Sequence, residues 1–373
     1  MPASFGDGLD VIYLVKSIKD QIEAVAHDIA VEQTVEVTAP LYSDPFISTN
    51  VVGRVVDISQ VDEDLFQVTI SYAGAVIGLE ITQLISVIFG NVSLKKGIRV
   101  KEILPSATLA DRFAGPKFGI AGLRSHIGVP DRPLVIGAIK PLGRTVDELA
   151  QFARGLAGGG LDLIKDDHGI TDQAFAPYRE RVAACAKAVA QANSETGFNT
   201  LYCPTVTGPA DQMMDRAKFA KDVGAGGVLI SPLVAGWDFM RAISKQTGLP
   251  IIAHPALAGA YLAPDHGISH GALFGTLMRM TGADLVVFPG FGGRFPLTQE
   301  HCREINVALK CKLHQIRDAF PVPAGGLTLE RVGEIRSVFG NDVAFLIGSA
   351  VYERSPDLAA NATYFRGLAA AWE

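Results

Sequence analysis

Residues Gly159–His168 read GGLDLIKDDH. Small and apolar residues run without a break into Lys165, Asp166, Asp167 and His168. So short an apolar run is a buried strand, and charges this close to a core are costly unless they pair or bind something. Side chains alternate along a strand, so Lys165 and Asp167 share one face and Asp166 takes the other. With His168 at the rim, Lys165 and Asp167 could hold a divalent cation. Oxygen-rich sites favour Mg²⁺. A lysine amine is a poor ligand for it, whereas a lysine carbamylated by CO₂ offers oxygen. The alternative is a plain Lys165–Asp167 ion pair that needs no metal.

The run at Leu161–Ile164 has seven counterparts: Leu134–Ile139, Thr200–Cys203, Gly227–Ile230, Pro250–Ala253, Asp284–Phe288, Pro321–Pro323 and Val343–Ile347. Their starts lie about 22–39 residues apart, the length of one strand plus one helix. The segments between them carry helical spacing. Thr145–Glu148 is a capping box, followed by Leu149, Phe152, Ala153 and Leu156 on one face. Asp211–Val223, Glu300–Phe320 and Leu329–Phe339 read the same way. Eight such units predict a (β/α)8 TIM barrel over residues 123–373. Continuous apolar strands suit a parallel sheet buried on both faces.

Residues 1–122 have another pattern. Val11–Val15, Val51–Ile58, Leu65–Tyr72 and Ile98–Ile103 read as strands, and Ile18–Val31 and Glu80–Phe89 as helices. This predicts a small α+β, ferredoxin-like domain joined to the barrel by a linker through Asp111–Gly122.

Of the 373 residues, 48% are hydrophobic and 19% charged, the balance of a well-buried globular protein. A net charge of −6 leaves no basic excess for a nucleic-acid partner. The four cysteines form no CxxC pair, which predicts reduced thiols in the cytoplasm. Neither a signal-peptide pattern nor a membrane-length apolar run is expected.

In such a barrel the active site lies at the C-terminal ends of the strands. The residues there are Lys140-Pro141, Lys165–His168, Pro204-Thr205, Ser231-Pro232, His254-Pro255, the loop Pro289–Arg294, Ala324–Gly326 and Gly348-Ser349. Gly325, Gly326, Gly348 and Ser349 could bind phosphate through backbone N–H groups, or be tight turns. The glycine-rich loop is a lid with Arg294 at its tip, or an ordinary flexible loop. His254 is a general base, a phosphate contact or a structural residue.

GGLDLIKDD at Gly159–Asp167, GPKFG at Gly115–Gly119 and IKP at Ile139–Pro141 resemble the large subunit of ribulose-bisphosphate carboxylase/oxygenase (RuBisCO), over nearly the whole chain. The resemblance implies that Lys165 is carbamylated and that Asp167 and His168 complete the Mg²⁺ ligands. It implies that Lys140 handles protons at an enediolate, and that Gly325, Gly326, Gly348 and Ser349 bind a phosphate. Asn91 and Glu32 match residues that cross to a partner subunit's active site, which implies a homodimer with shared sites, or a higher oligomer of it.

Where the family has a glutamate as third ligand, this chain has His168, and imidazole suits Mg²⁺ less well. Pro255, Val287 and Ala324 stand where the carboxylases hold a second phosphate with arginine, histidine and serine. Arg294 replaces the lid lysine, which it cannot mimic as a compact ammonium. These departures resemble a RuBisCO-like protein, not a CO₂-fixing carboxylase, acting on a phosphorylated small molecule with one phosphate. The first expectation is decarboxylation or carboxyl transfer on a 3-oxo-isoapionate 4-phosphate type substrate. The alternatives are an isomerase of 5-methylthioribulose 1-phosphate, a diketo-phosphate enolase of methionine salvage, and a non-catalytic sugar-phosphate-binding protein.

Overall fold

The computed structural model describes residues 3–78, 80–325 and 331–371, which group into two compact units. The first is Met1–Ala114 with Leu257–Met280 and Lys312–Ile316. Its sheet holds β1 (Leu9–Lys16), β2 (Arg54–Asp62), β3 (Leu65–Tyr72) and β4 (Ile98–Pro105), antiparallel in the order β4-β1-β3-β2. A short β10 (Gly267–Ile268) extends it in parallel beside β4. Leu9, Val11, Tyr13 and Val15 alternate onto the buried face of β1. The helix Ile22–Glu32 packs on β2 and β3, and the Tyr13 hydroxyl donates to Ile88 O (2.8 Å) in the helix Ile81–Phe89. This is the α+β domain the strand pattern predicts.

The second unit is Gly115–Ala256, Thr281–Cys311 and Arg317–Glu373. It carries β5 (Leu134–Ile139), β6 (Leu163–Asp166), β7 (Leu201–Cys203), β8 (Val228–Ile230) and β9 (Ile251–Ala253). After these come β11 (Leu285–Pro289), β12 (Phe320–Ala324) and β13 (Ala344–Ile347). All eight expected barrel strands form, within a residue or two of their predicted starts. They pair in parallel as two arcs, β13-β5-β6-β7 and β8-β9-β11-β12. The arcs meet at the Thr205–Leu229 bridge and where β12 lies beside β13, so the ring closes. Leu134, Leu163, Leu201, Leu229, Leu285 and Phe320 fill its interior. Side chains inside and helices outside explain the near-continuous apolar strands.

The opening stretch shows why two glycines precede β6. A Cβ on Gly159 would lie 2.3 Å from Ala359 O, in the last helix, Leu358–Ala370. Gly160 takes φ +78° to turn the chain from the helix Val146–Gly158 into the strand. Asp162 then anchors the strand's N-terminal end, receiving both Arg132 Nη1 and Nη2 at 2.7 Å and Val135 N–H at 2.8 Å. The Thr145–Glu148 capping box is present as expected.

Two expected boundaries change. The linker through Gly122 is cut short by a helix, Gly119–Ile127, whose Ile120, Leu123 and Ile127 pack into the barrel core. Asp284 and Asp318 nucleate it by accepting the N–H groups of Phe118 and Gly119 (2.7 and 3.0 Å) and of Ile120 (2.9 Å). The helix expected over Glu300–Phe320 spans Gln299–Lys310, because Cys311 turns extended and His314 takes φ +50°. The start of the predicted Leu329–Phe339 helix lies partly outside the described residues; Val332–Phe339 is helical.

Asp284 accepts a third N–H from Ile251 at 3.1 Å. Asp284→Ala leaves three N–H donors without their acceptor, two of them in buried bonds, and we expect a loss of about 3 kcal/mol in urea denaturation. A loss below ~1 kcal/mol would mean that water or a shifted backbone replaces the carboxylate. Among the described residues no helix is long and apolar enough to cross a membrane.

Candidate active site

The C-terminal ends of β5, β6 and β9 bring Lys140, Lys165, Asp167, His168 and His254 together. Asp167 is the hub. Lys140 Nζ lies 3.0 Å from its Oδ2 and His168 Nδ1 3.2 Å from its Oδ1, and Gly169 N–H donates to Oδ1 at 3.2 Å. Burial alone would raise the Asp167 pKa, but the bonds from His168, Lys140 and Gly169 hold it well below the usual carboxylate range. The ion pair the sequence left open is therefore made with Lys140. Lys165 Nζ instead donates to Asp166 O at 2.8 Å.

Lys165 is only 2% exposed, and burial, with a contribution from nearby Lys140, lowers its pKa to about 8 against the pull of Asp167. A lysine ordinarily titrates near 10.4, so this amine is neutral and nucleophilic in a pH range where others are protonated. The fraction neutral rises with pH through the folded value. We expect ¹³CO₂ uptake at Lys165, followed by carbon NMR, to be half-complete near pH 8. A midpoint near 10 would mean the amine is solvated.

Asp166 points the other way, as the alternation predicts. It is fully buried and pairs with equally buried Arg181 (3.3 Å), Tyr202 Oη (2.7 Å) and Thr205 N–H (3.1 Å). This cluster clamps the end of β6 from outside the barrel, so the two acidic residues of KDDH divide into a scaffold and a site.

The rings of His168 and His254 stack at 4.2 Å, 15° from parallel. Burial and the neighbouring Lys165 and His168 push the His254 pKa down to about 2, so its ring is neutral. Ala256 N–H donates to His254 Nδ1 at 3.2 Å, which places the ring proton on Nε2, ready to donate.

Among the described residues, Arg294 makes no hydrogen bond or ion pair with the hub. Its backbone N–H donates to Gly325 O (2.9 Å), and its exposed guanidinium lies over Phe295, 5.3 Å from the ring centre. Gly325 takes φ +83°, and a Cβ on Gly348 would sit 4.0 Å from Lys140 Nζ. The Gly348-Ser349 turn therefore borders the hub. Gly326 lies outside the described residues. In the first unit Asn91 Nδ2 donates to Glu32 Oε1 at 3.0 Å, and Lys95 pairs with Glu32 at 3.6 Å and Asp28 at 2.6 Å. Sequence reasoning missed Tyr352, whose hydroxyl donates to Ala138 O (2.9 Å) and accepts from Lys140 N–H (3.3 Å).

The donor set decides whether Mg²⁺ fits. Among the described residues no three His, Cys, Asp or Glu side chains converge as a metal group. Asp167, the outer nitrogen of His168 and an unmodified amine would hold a hard cation poorly. A carbamate on Lys165 would supply the missing anionic oxygens, and the lowered pKa favours the neutral amine that reacts with CO₂. The residues fit the ion in that carbamylated state.

A parallel barrel with a lysine–aspartate–histidine cluster at its mouth and a glycine turn beside it has the layout of a TIM-barrel enzyme site. Residues 119–373 match the family model for the ribulose bisphosphate carboxylase large chain, catalytic domain, and the chain belongs to that family. It is 41% identical over 351 residues to the 5-methylthioribulose-1-phosphate isomerase of Rhodospirillum rubrum, covering 93% of this chain and 92% of the relative. It is 34% identical to the 2,3-diketo-5-methylthiopentyl-1-phosphate enolase of Bacillus pumilus, covering 80% and 76%. The crystal structure of a Rubisco-like protein from Rhodopseudomonas palustris superposes with TM-score 0.88 at 37% identity, covering 98% of both chains. The protein is a RuBisCO-like enzyme and not a CO₂-fixing carboxylase.

Proposed function

We propose that the enzyme isomerises a monophosphorylated, methylthio-bearing ketose of the 5-methylthioribulose 1-phosphate kind. The observation that carries this reading is the apolar character of the barrel where a bisphosphate's second phosphate would need cations. Val287 is 2% exposed within the barrel core, Ala324 packs against it, and Pro255 follows His254. Hydrocarbon there suits a thioether and leaves a second phosphate without a partner. The Rhodospirillum relative supports the same substrate class.

In this reading Gly325, Gly326, Gly348 and Ser349 hold the phosphate, with Arg294 as lid. Lys140 takes a proton from the carbon beside the ketone, the electron pair moves to the ketone oxygen, and an enediolate forms. The proton returns to the former carbonyl carbon, the hydroxyl proton of the neighbouring carbon passes to the former ketone oxygen, and the ketone has shifted by one position with no atom gained or lost. His254 Nε2–H donates to a developing oxyanion. A divalent ion held by carbamylated Lys165, Asp167 and His168 would polarise the ketone. Asn91 and Glu32 serve the partner's site in a homodimer.

Decarboxylation of a 3-oxo sugar acid, the first expectation from sequence, gains no support from the relatives described, and isomerisation takes its place. Their enzymatic names and the intact Lys140–Asp167–His168 cluster also set aside a non-catalytic role. Enolisation of a diketo-phosphate is the second reading, supported by the Bacillus relative.

Proton NMR in D₂O tests these readings, with 5-methylthioribulose 1-phosphate, its diketo counterpart and a 3-oxo sugar acid phosphate as substrates. Exchange and a new ketose in the first sample alone support isomerisation. Turnover of the diketone alone would replace it with the enolase.

A further inference from the structure

We infer that Tyr352 is a positioning residue that ties Lys140 to the Gly348-Ser349 turn, so that an anion on the turn is felt at the Lys140 amine. The inference rests on the reading of that turn as a phosphate site and of Lys140 as the proton carrier.

Three observations meet at one side chain. The Tyr352 hydroxyl donates to Ala138 O at 2.9 Å and accepts from Lys140 N–H at 3.3 Å, so it grips the last residues of β5. The Tyr352 backbone N–H donates to Ser349 O at 2.8 Å, so the same residue is bonded to the turn after β13. The Phe152 ring meets Tyr352 edge-on at 5.6 Å and fixes its orientation. Burial raises the Tyr352 pKa to about 12, which keeps the hydroxyl protonated as a donor to Ala138 O. Gly348 itself lies next to Lys140 Nζ. A shift of the turn on binding an anion therefore reaches the strand end through one rigid ring, whereas the pairing of β13 with β5 runs from Ala344 with Leu134 to Ile347 with Gly137 and stops short of Ala138 and Lys140.

A merely structural hydroxyl would hold the strand end equally with or without an anion. The test is competitive trace acetylation of the full chain, with Lys140 read by peptide mass spectrometry in the presence and absence of inorganic phosphate. In the native chain, saturating phosphate should change Lys140 labelling by about 3-fold or more, a coupling of the usual size between linked sites. Tyr352→Phe should still bind phosphate by calorimetry and melt within a few degrees of native, yet lose that change. Phe152→Leu keeps the hydroxyl and loosens only its packing; it should retain most of the response.

With substrate, Tyr352→Phe should lower kcat by about 10-fold while KM stays within about 2-fold, because the lost contact acts on the proton carrier after binding. A full phosphate response in Tyr352→Phe, or none in the native chain, overturns the inference. The labelling needs no turnover, so its failure is separate from failure of the isomerase assay.

Discussion

Lys165→Ala is expected to abolish deuterium exchange into the substrate, a fall of ~10³-fold or more, with the fold retained. The amine is buried, its pKa is held down to about 8, and its bond goes to a backbone carbonyl. Alanine leaves the Lys140–Asp167–His168 contacts in place, so the loss is of function and not of the cluster. The same variant should lose the CO₂ uptake that rises through pH 8 and, with it, substrate-dependent binding of Mg²⁺ by calorimetry. An exchange rate within about 10-fold of native would remove Lys165 from the chemistry. Lys140→Ala separates the roles: it should stop exchange and keep CO₂ uptake at Lys165, with the midpoint moved to higher pH because a cation that lowers that pKa is gone.

The barrel was legible because each strand is a short apolar run that ends in glycine, proline or a charge, and this signal is local. GGLDLIKDDH even predicts which acid faces outward, since alternation is a property of the strand alone. What the charges pair with was not legible. The partner of Asp167 is Lys140, which lies 27 residues earlier and becomes adjacent only because β5 and β6 align Ala138 with Lys165. Arg181 and Tyr202, which meet Asp166, come from the following helix and β7. Tyr352 carries no motif at all, and its role follows from the closure of β13 onto β5. The helix at Gly119 was hidden for a similar reason: glycine and proline nearby read as linker, while the caps that start the helix come from Asp284 and Asp318. Local pattern yields the elements, and the long-range pairings arise only when the ring closes.

The largest stability effect is expected at Asp166. Asp166→Ala strands the Arg181 guanidinium, which is fully buried, and removes the acceptor of Tyr202 Oη. Breaking one side of a buried ion pair costs about 3–5 kcal/mol, because the remaining charge has no water to fall back on. Urea denaturation measures this directly. Replacing both partners, as in Asp166→Leu with Arg181→Met, removes the charge problem and should restore most of the loss. Lys165 bonds to the Asp166 backbone oxygen, not to its carboxylate, so the double variant should keep exchange within about 10-fold of native. If the double variant is stable and inactive, the Asp166 carboxylate shapes the site and is more than a clamp. If the single variant loses less than ~1 kcal/mol, solvent reaches Arg181 and the outer face of β6 is less closed than its packing implies.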